Sequence, residues 1–505
     1  MTKSGWLLLP AAFFLIVNFA VSSVNTLFFS RLIYFLFLIF LFLILRQFNL
    51  NNILPPIIGG VSLILFFYGI IQKFVLFPYY LQYITPGDDF YSQALITRIK
   101  SGRIFSLFSL PTLYAIICTV LIIFILHYLL TSLTAKNKRN KIFWGFLLLT
   151  GLFNLVLTQS FGGFLYFSIG VLLYLLLSGI LKFKYLAPLL MVLSLFFFII
   201  ITLRFSEAKE LEPVKLRFSN WKQASRIIES APFWGIGLGN YEAKISYYTF
   251  PSEARSMYAH NFFLQFTAET GFIIPCILLL FLFVARKKLK PHQYKEKIIY
   301  IAVILVVLVY NVIDIGLYFF SAGVTAAIAL SQVYPHKGEK KILKKNTKLI
   351  MNIIVFALLS FLLLGETISE NHRKTADFLD AQKDYENAQH DYQKSFKINP
   401  FNYNSMVRYA YIDLRFNKPQ NAEKYLDKAL KLYPDLAFAN YLKSQIQFKR
   451  NHLFKAYYHA AAAYNKYKLS DQYKQWFESI KRNLENLLVE NSRLPITNKE
   501  KSTIK

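Results

Sequence analysis

Between Arg217 and His260 the sequence sets out residue types that suit one kind of chemistry. In order they are Arg217, Trp221, Pro232, Trp234, the glycines Gly235, Gly237 and Gly239, Tyr241, and finally His260 followed by Asn261. An arginine guanidinium presents a planar fork to two phosphate oxygens and offsets charge that builds on a leaving group. An imidazole that titrates near neutrality can take a proton from a hydroxyl. Closely spaced glycines let a backbone approach a bulky ligand. Trp221, Trp234 and Tyr241 can stack on sugar rings, although amphipathic aromatics also populate a membrane interface.

The elements that must position these residues are set by composition. The chain is 55% hydrophobic and 17% aromatic over 505 residues, too apolar a balance for a soluble globular protein of that size. Several stretches hold about 20 apolar residues, the length one helix needs to cross roughly 30 Å of hydrocarbon. Backbone groups must be satisfied internally there, so the expected fold is all-α, a polytopic transmembrane helix bundle. Apolar runs predict eleven crossings, at about 6 to 24, 27 to 45, 53 to 72, 108 to 130, 142 to 158, 162 to 181, 186 to 203, 261 to 285, 297 to 315, 317 to 334 and 349 to 365. With the N-terminus inside, the basic connectors at Arg46, Lys136 to Lys141, Lys182 and Lys184, Arg286 to Lys290, and Lys337 to Lys348 all fall on the cytoplasmic side. With a net charge of +29, the clustering of Lys and Arg in these short connectors argues against nucleic acid as a partner. External loops follow at about 73 to 107 and about 204 to 260, with an external C-terminal tail. The apolar run from Trp6 lacks a small-residue cleavage site and reads as the first span rather than a removed signal. Cys118 and Cys276, far apart inside apolar segments, offer no disulfide or metal framework.

From about 367 the composition turns polar and a repeat emerges. Ala388, Ala422 and Ala456 are spaced 34 residues apart, as are Ser395, Ala429 and Ala463, and Pro400 with Pro434. Small residues where paired helices pack closely, with proline ending each unit, resemble the tetratricopeptide repeat. Residues 367–485 are thus expected to form an α-solenoid offering a concave surface to a protein partner, and 486–505 a polar tail.

The ordered set of Arg217, Trp221, Pro232-x-x-Gly235-x-Gly237-x-Gly239 and His260-Asn261, opening a helix with Glu269-x-Gly271, resembles the signature region of the O-antigen ligase and O-antigen polymerase superfamily. The likeness spans most of residues 50 to 335, within a membrane domain of 1–366 whose signature region is about 200–285. Gly69 and Gln72, then Arg98, Gly102, Arg103 and Phe105, are similar to the family's pattern before its fourth helix. One departure is plain: Thr158, Gln159, Ser160, Phe161, Gly162 and Gly163 stand where the family commonly has Ser-Arg-Gly, with Phe161 at the arginine position. Arg103, Arg204, Arg217 and Arg226 remain as external arginines for phosphate contact.

The resemblance implies a metal-independent glycosyltransferase, without a cofactor, acting by single displacement at the outer face of a bacterial inner membrane. Its donor would be a glycan on undecaprenyl diphosphate, and membrane lipid would surround it. Three acceptors are open: lipid A core, a growing polysaccharide, or a protein side chain. The expected catalytic pair is Arg217 and His260, with Arg103, Arg204, Arg226, Trp221, Gly235, Gly237, Gly239 and Asn261 binding substrate. Glu269, about nine residues into its helix, would project away from His260 at about 100° per residue and reads as structural. Two rivals have residues of their own. Asp314, an isolated charge in an apolar run, would suit a transporter or assembly scaffold. Asp88 and Asp89 would suit a metal-dependent acidic-pair glycosyltransferase, although Pro86 and Gly87 before them read as a turn.

Overall fold

The computed structural model describes residues 8–83, 99–134, 138–181, 184, 186–203, 212–250, 253, 256–286, 294–334, 347–468 and 470–493. Among the described residues every regular element is a helix. They are α1 (Leu8–Ala20), α2 (Asn25–Leu45), α3 (Leu54–Ile71), α4 (Phe77–Tyr83), α5 (Pro111–Thr134), α6 (Lys138–Thr158), α7 (Phe161–Leu177), α8 (Leu186–Leu203), α9 (Glu212–Ser230), α10 (Tyr241–Ile245), α11 (Phe262–Thr270), α12 (Ile273–Arg286), α13 (Tyr294–Ile313), α14 (Phe320–Val333), α15 (Thr347–Ala381), α16 (Tyr385–Ile398), α17 (Tyr403–Arg415), α18 (Pro419–Leu432), α19 (Ala437–Lys449), α20 (Leu453–Lys466) and α21 (Asp471–Arg493). The chain divides into two compact units: Met1–Ser22, Phe28–Ile245 and Ala254–Leu363 form one, and Ser23–Leu27, Ser246–Glu253 and Leu364–Lys505 the other.

The first unit is a multi-pass membrane bundle. Among the described residues five helices are long and apolar enough to cross a membrane, six if α11 and α12 count as one bent span, and four more apolar helices run 10–17 residues. By length and composition the described residues thus account for up to six of the eleven expected crossings. Helix α5 lies at the centre, with 72% of its most apolar window buried, whereas α15 buries 6% and presents its apolar residues outward. Side chains from Leu113 to Ile125 are buried without interruption, so α5 has no polar face to spare.

Polar tethers sort the connectors of this unit into two groups. In one, Phe262 N donates to Asp314 O (2.9 Å), Ile104 N to Leu157 O (3.2 Å), and Asn18 Nδ2 to Trp234 O (2.6 Å). In the other, Leu50 N reaches Gln332 Oε1 (3.1 Å), Tyr300 Oη reaches Asn51 Oδ1 (2.9 Å), and Lys297 Nζ reaches Val333 O (2.8 Å). His260 belongs to the first group.

Three expectations need correction. The single helix expected at 261 to 285 is two helices bent by 119°. Gly271 makes the bend, at φ +72°, and a Cβ there would run into the Phe233 carbonyl. The segment expected as a loop at 204 to 260 contains the 19-residue helix α9, whose Asn220, Gln223, Ala224, Ile227 and Ile228 are buried. A search for long apolar runs passes over such an amphipathic helix. The span expected to end near 72 continues through a π turn (Gln72–Leu76) into α4, so helix occupies the start of the loop expected at 73 to 107.

In the second unit each helix from α16 to α21 packs on the next. Ala388, Ala422 and Ala456 are fully buried, as are Ser395 and Ala429. Lys383, Asn417 and Asn451, again 34 residues apart, all adopt left-handed backbone (φ +65°, +56° and +63°). After each of them an N–H closes back on a carbonyl five residues earlier, Asp384 on Leu379, Lys418 on Asp413 and His452 on Gln447, all at 2.8–2.9 Å. The same helix-ending motif thus recurs at that spacing.

Candidate functional site

The glycine-rich turn is built first by packing. Gly235, Gly237 and Gly239 have φ values of +67°, +96° and +77°. A Cβ on Gly235 would strike the Glu269 carbonyl, and one on Gly237 would come 2.7 Å from Ser22 Cα. Backbone bonds run from Ile236 N to Ala268 O (3.1 Å) and from Gly237 N to Glu269 O (3.0 Å). Gly235 and Gly237, expected to bind substrate, lie against the end of α11 and the residue Ser22 after α1.

Buried polar side chains lock the turn in place. Asn18 donates from Nδ2 to Trp234 O and Glu269 O, and its Oδ1 accepts from Leu238 N at 2.9 Å. Glu269 Oε2 accepts from Gly239 N (2.7 Å) and from the Tyr318 hydroxyl (2.6 Å), while Oε1 accepts from Gln265 Nε2 (3.3 Å). A carboxylate with three donors is well satisfied in a buried setting. Glu269 therefore has a clamp's geometry. Tyr241 is buried in the same region and presents no ring face to a sugar; burial, then the Glu269 charge, raises its phenol above the usual range.

His260 stands between this clamp and α13. It adopts left-handed backbone, φ +49°, which is costly for a residue with a Cβ and typical of strained functional positions. Its carbonyl accepts from Trp221 Nε1 at 3.2 Å, Asn261 caps α11 by accepting from Leu264 N (3.0 Å), and Gln265 Oε1 accepts from Ala259 N (3.1 Å). Trp221, expected as a sugar platform, donates its N–H to the His260 carbonyl and has its ring edge-on to Phe218. Asn261 likewise serves the helix end.

The side chain of His260 has a partner that sequence reasoning assigned elsewhere. Nδ1 lies 3.3 Å from Oδ1 of buried Asp314, which also accepts from Ile315 N at 2.9 Å. A carboxylate only accepts, so Nδ1 carries the proton and Nε2 is left as the basic nitrogen. The imidazole is 33% exposed.

Arg217 anchors one residue away, its Nε donating to Ile313 O at 3.2 Å. The charges of Arg217 and Asp314 both act on the neighbouring Tyr166 and Tyr310. Arg103 Nε donates to Thr158 O (3.1 Å), and burial lowers its pKa from the usual arginine value. Gln72 orders the segment after Arg103, its Oε1 accepting from Phe105 N (2.8 Å) and Ser106 N (2.9 Å). Arg226 is half-buried on α9, nine residues after Arg217 and hence on the opposite side of that helix. The structure thus brings Arg217 and His260 onto one helix end and does not bring Arg226 to it. Arg204, Asp88 and Asp89 lie outside the described residues.

Two comparisons with known proteins bear on this site. Residues 145–274 match the family model described as O-antigen ligase, which supports the O-antigen ligase superfamily. No curated protein matches the chain. The matched segment contains Arg217, the glycine-rich turn, His260 and Glu269, and ends before Asp314.

Proposed function

We propose that the protein is an O-antigen ligase-like glycosyltransferase of a bacterial inner membrane, moving a glycan from undecaprenyl diphosphate to an acceptor hydroxyl at the outer face. The carrying observation is the His260–Asp314 pair beside Arg217, all set around the last turn of α13. His260 Nε2 takes the acceptor's proton as its oxygen bonds to the anomeric carbon. The bond from that carbon to the phosphate oxygen breaks, and its electron pair leaves on undecaprenyl diphosphate. Arg217 offsets that charge, with Arg103 a second cation. Asp314 keeps the imidazole in the useful tautomer and stabilises the imidazolium that forms. None of these steps calls for a metal.

The observation that pointed to a transporter has another explanation here, since Asp314 is engaged by His260 and by Ile315 N. The second unit fits tetratricopeptide repeats, placed on the external side, where they would receive a protein partner or acceptor. The 34-residue recurrence of buried alanines and left-handed turns supports that reading.

Two experiments test the proposal. Purified protein in lipid nanodiscs should transfer glycan from an undecaprenyl diphosphate donor, and His260→Ala should lower turnover by roughly 10²- to 10⁴-fold while inserting normally. Comparing surface polysaccharide, capsule and glycoproteins in a deletion strain should show one product missing, which names the acceptor. Near wild-type transfer by folded His260→Ala protein would remove the base from the mechanism.

A further inference from the structure

The bundle holds an arginine that the mechanism above does not use. Arg31 lies in α2, about 9 Å along the helix from Asn25, and is half-buried. Its Nη1 donates to Tyr318 O at 3.0 Å, and its guanidinium lies over the Tyr318 ring, 4.6 Å from the centroid. Its other N–H groups have no partner among the described residues, and no carboxylate there lies within ion-pairing distance. Glu269 is the nearby anion, but its oxygens already accept from Gly239, Tyr318 and Gln265. A charge in a membrane helix is expensive, which marks such a residue as functional, and here the field of Glu269 offsets it without a direct ion pair.

The platform beneath Arg31 is rigid and tied to His260. Tyr318 closes a single 3-10 turn, its N donating to Ile315 O (2.9 Å), and its hydroxyl is fixed on Glu269. Tyr34 secures the same turn, its hydroxyl lying 2.9 Å from Leu317 O and 3.0 Å from Phe319 O. Asp314, the partner of His260, immediately precedes this turn. Ile315 to Tyr318 rises roughly 2 Å per residue. Arg217, at Ile313 O, and Arg31, at Tyr318 O, therefore hold carbonyls on either side of Asp314, the partner of His260, on one short connector. Each is held by a carbonyl at the end of a helical turn, where the backbone dipole favours a cation. Helix α2 lies at the periphery of the bundle, only 17% of its apolar window being buried.

Resting on the glycosyltransferase reading, we propose that Arg31 binds the donor's prenyl-linked phosphate at the edge of the bundle where the lipid chain enters, leaving Arg217 for the sugar-linked phosphate. The test measures binding of undecaprenyl diphosphate and undecaprenyl monophosphate to full-length protein in phosphatidylcholine nanodiscs, and repeats it with added phosphatidylglycerol. Arg31→Ala should weaken both ligands by about 10- to 100-fold. Arg217→Ala should weaken the diphosphate more than the monophosphate. Arg31→Gln keeps a donor for Tyr318 O without the charge, so it should bind as poorly as Arg31→Ala while matching wild type in thermal stability. Binding by Arg31→Gln within two-fold of wild type would make Arg31 a strut for the turn and overturn the inference. Equal competition by phosphatidylglycerol would make it a headgroup anchor and overturn the inference as well. If wild-type protein transfers glycan and the Arg31 variants bind normally, only the inference fails; if wild type transfers nothing from a lipid diphosphate, the underlying reading fails.

Discussion

Asp314→Asn isolates one electrostatic contribution from its surroundings. Asparagine keeps an acceptor for Ile315 N, so the connector after α13 retains its shape. What changes is the partner of His260 Nδ1, now 3.3 Å from a neutral amide instead of a carboxylate. At that separation an effective dielectric of about 20 allows an attraction of roughly 5 kcal/mol between imidazolium and carboxylate. The imidazole is 33% exposed, so screening by water and salt reduces this to about 2–3 kcal/mol. With its oxygen still on Ile315 N, the neutral amide also favours the Nδ1-protonated tautomer less, so more of the imidazole carries its proton on Nε2 and cannot act as the base. Together these predict that kcat falls by about 10²- to 10³-fold with little change in donor KM. The assay is steady-state transfer from an undecaprenyl diphosphate-linked glycan in nanodiscs. A kcat for Asp314→Asn within about three-fold of wild type would refute the pairing's role and leave Asp314 as a cap for Ile315.

Arg217→Lys should fail nearly as badly as Arg217→Ala in donor binding and turnover, because an ammonium keeps the charge and loses the fork that can hold Ile313 O and phosphate together; lysine activity close to wild type would contradict this. Gly235→Ala should cost several kcal/mol and reduce recovery of folded protein, since its φ is +67° and the new methyl meets the Glu269 carbonyl; thermal melting in detergent measures it. His459 in the second unit donates from Nδ1 to Asn440 Oδ1 at 2.8 Å, and burial, then the Lys443 charge, lowers its pKa from 6.5 to about 4. The unfolded chain then binds more protons between those values, so stability present above about pH 6.5 is lost as pH falls toward 4. Hydrogen exchange in α19 and α20 of the full-length protein should accelerate over that window, and His459→Gln should flatten the dependence.

The sequence made the helical class and most helix positions legible, because a membrane span advertises itself by length and hydropathy. It also made legible the order of residues from Arg217 to His260, which the structure gathers onto the clamp and the end of α13. Asp314 was visible only as a lone charge near the end of an apolar run; its partner lies 54 residues earlier, and no periodicity links the two. Asn18 and Arg31 were hidden for a related reason, each a polar residue in an apolar helix whose partners come 216 and 287 residues later in the chain. Helix α9 escaped because its buried face includes Asn220 and Gln223, which a hydropathy scan counts as loop.

The roles assigned to the glycines and to Glu269 change what the motif means mechanically. Were the glycine-rich turn a ligand cradle, its N–H groups would be open, yet Ile236, Gly237, Leu238 and Gly239 all donate within the protein. The turn instead fixes Glu269, Glu269 fixes Tyr318, and the turn that ends in Tyr318 begins beside Asp314. Asp314 then sets His260, whose strained backbone is held from the other side by Trp221. Each link removes freedom from the base before substrate arrives, which is how preorganisation lowers a barrier. The glycines are needed because only a backbone without Cβ atoms lets the turn approach α11 closely enough to start that chain.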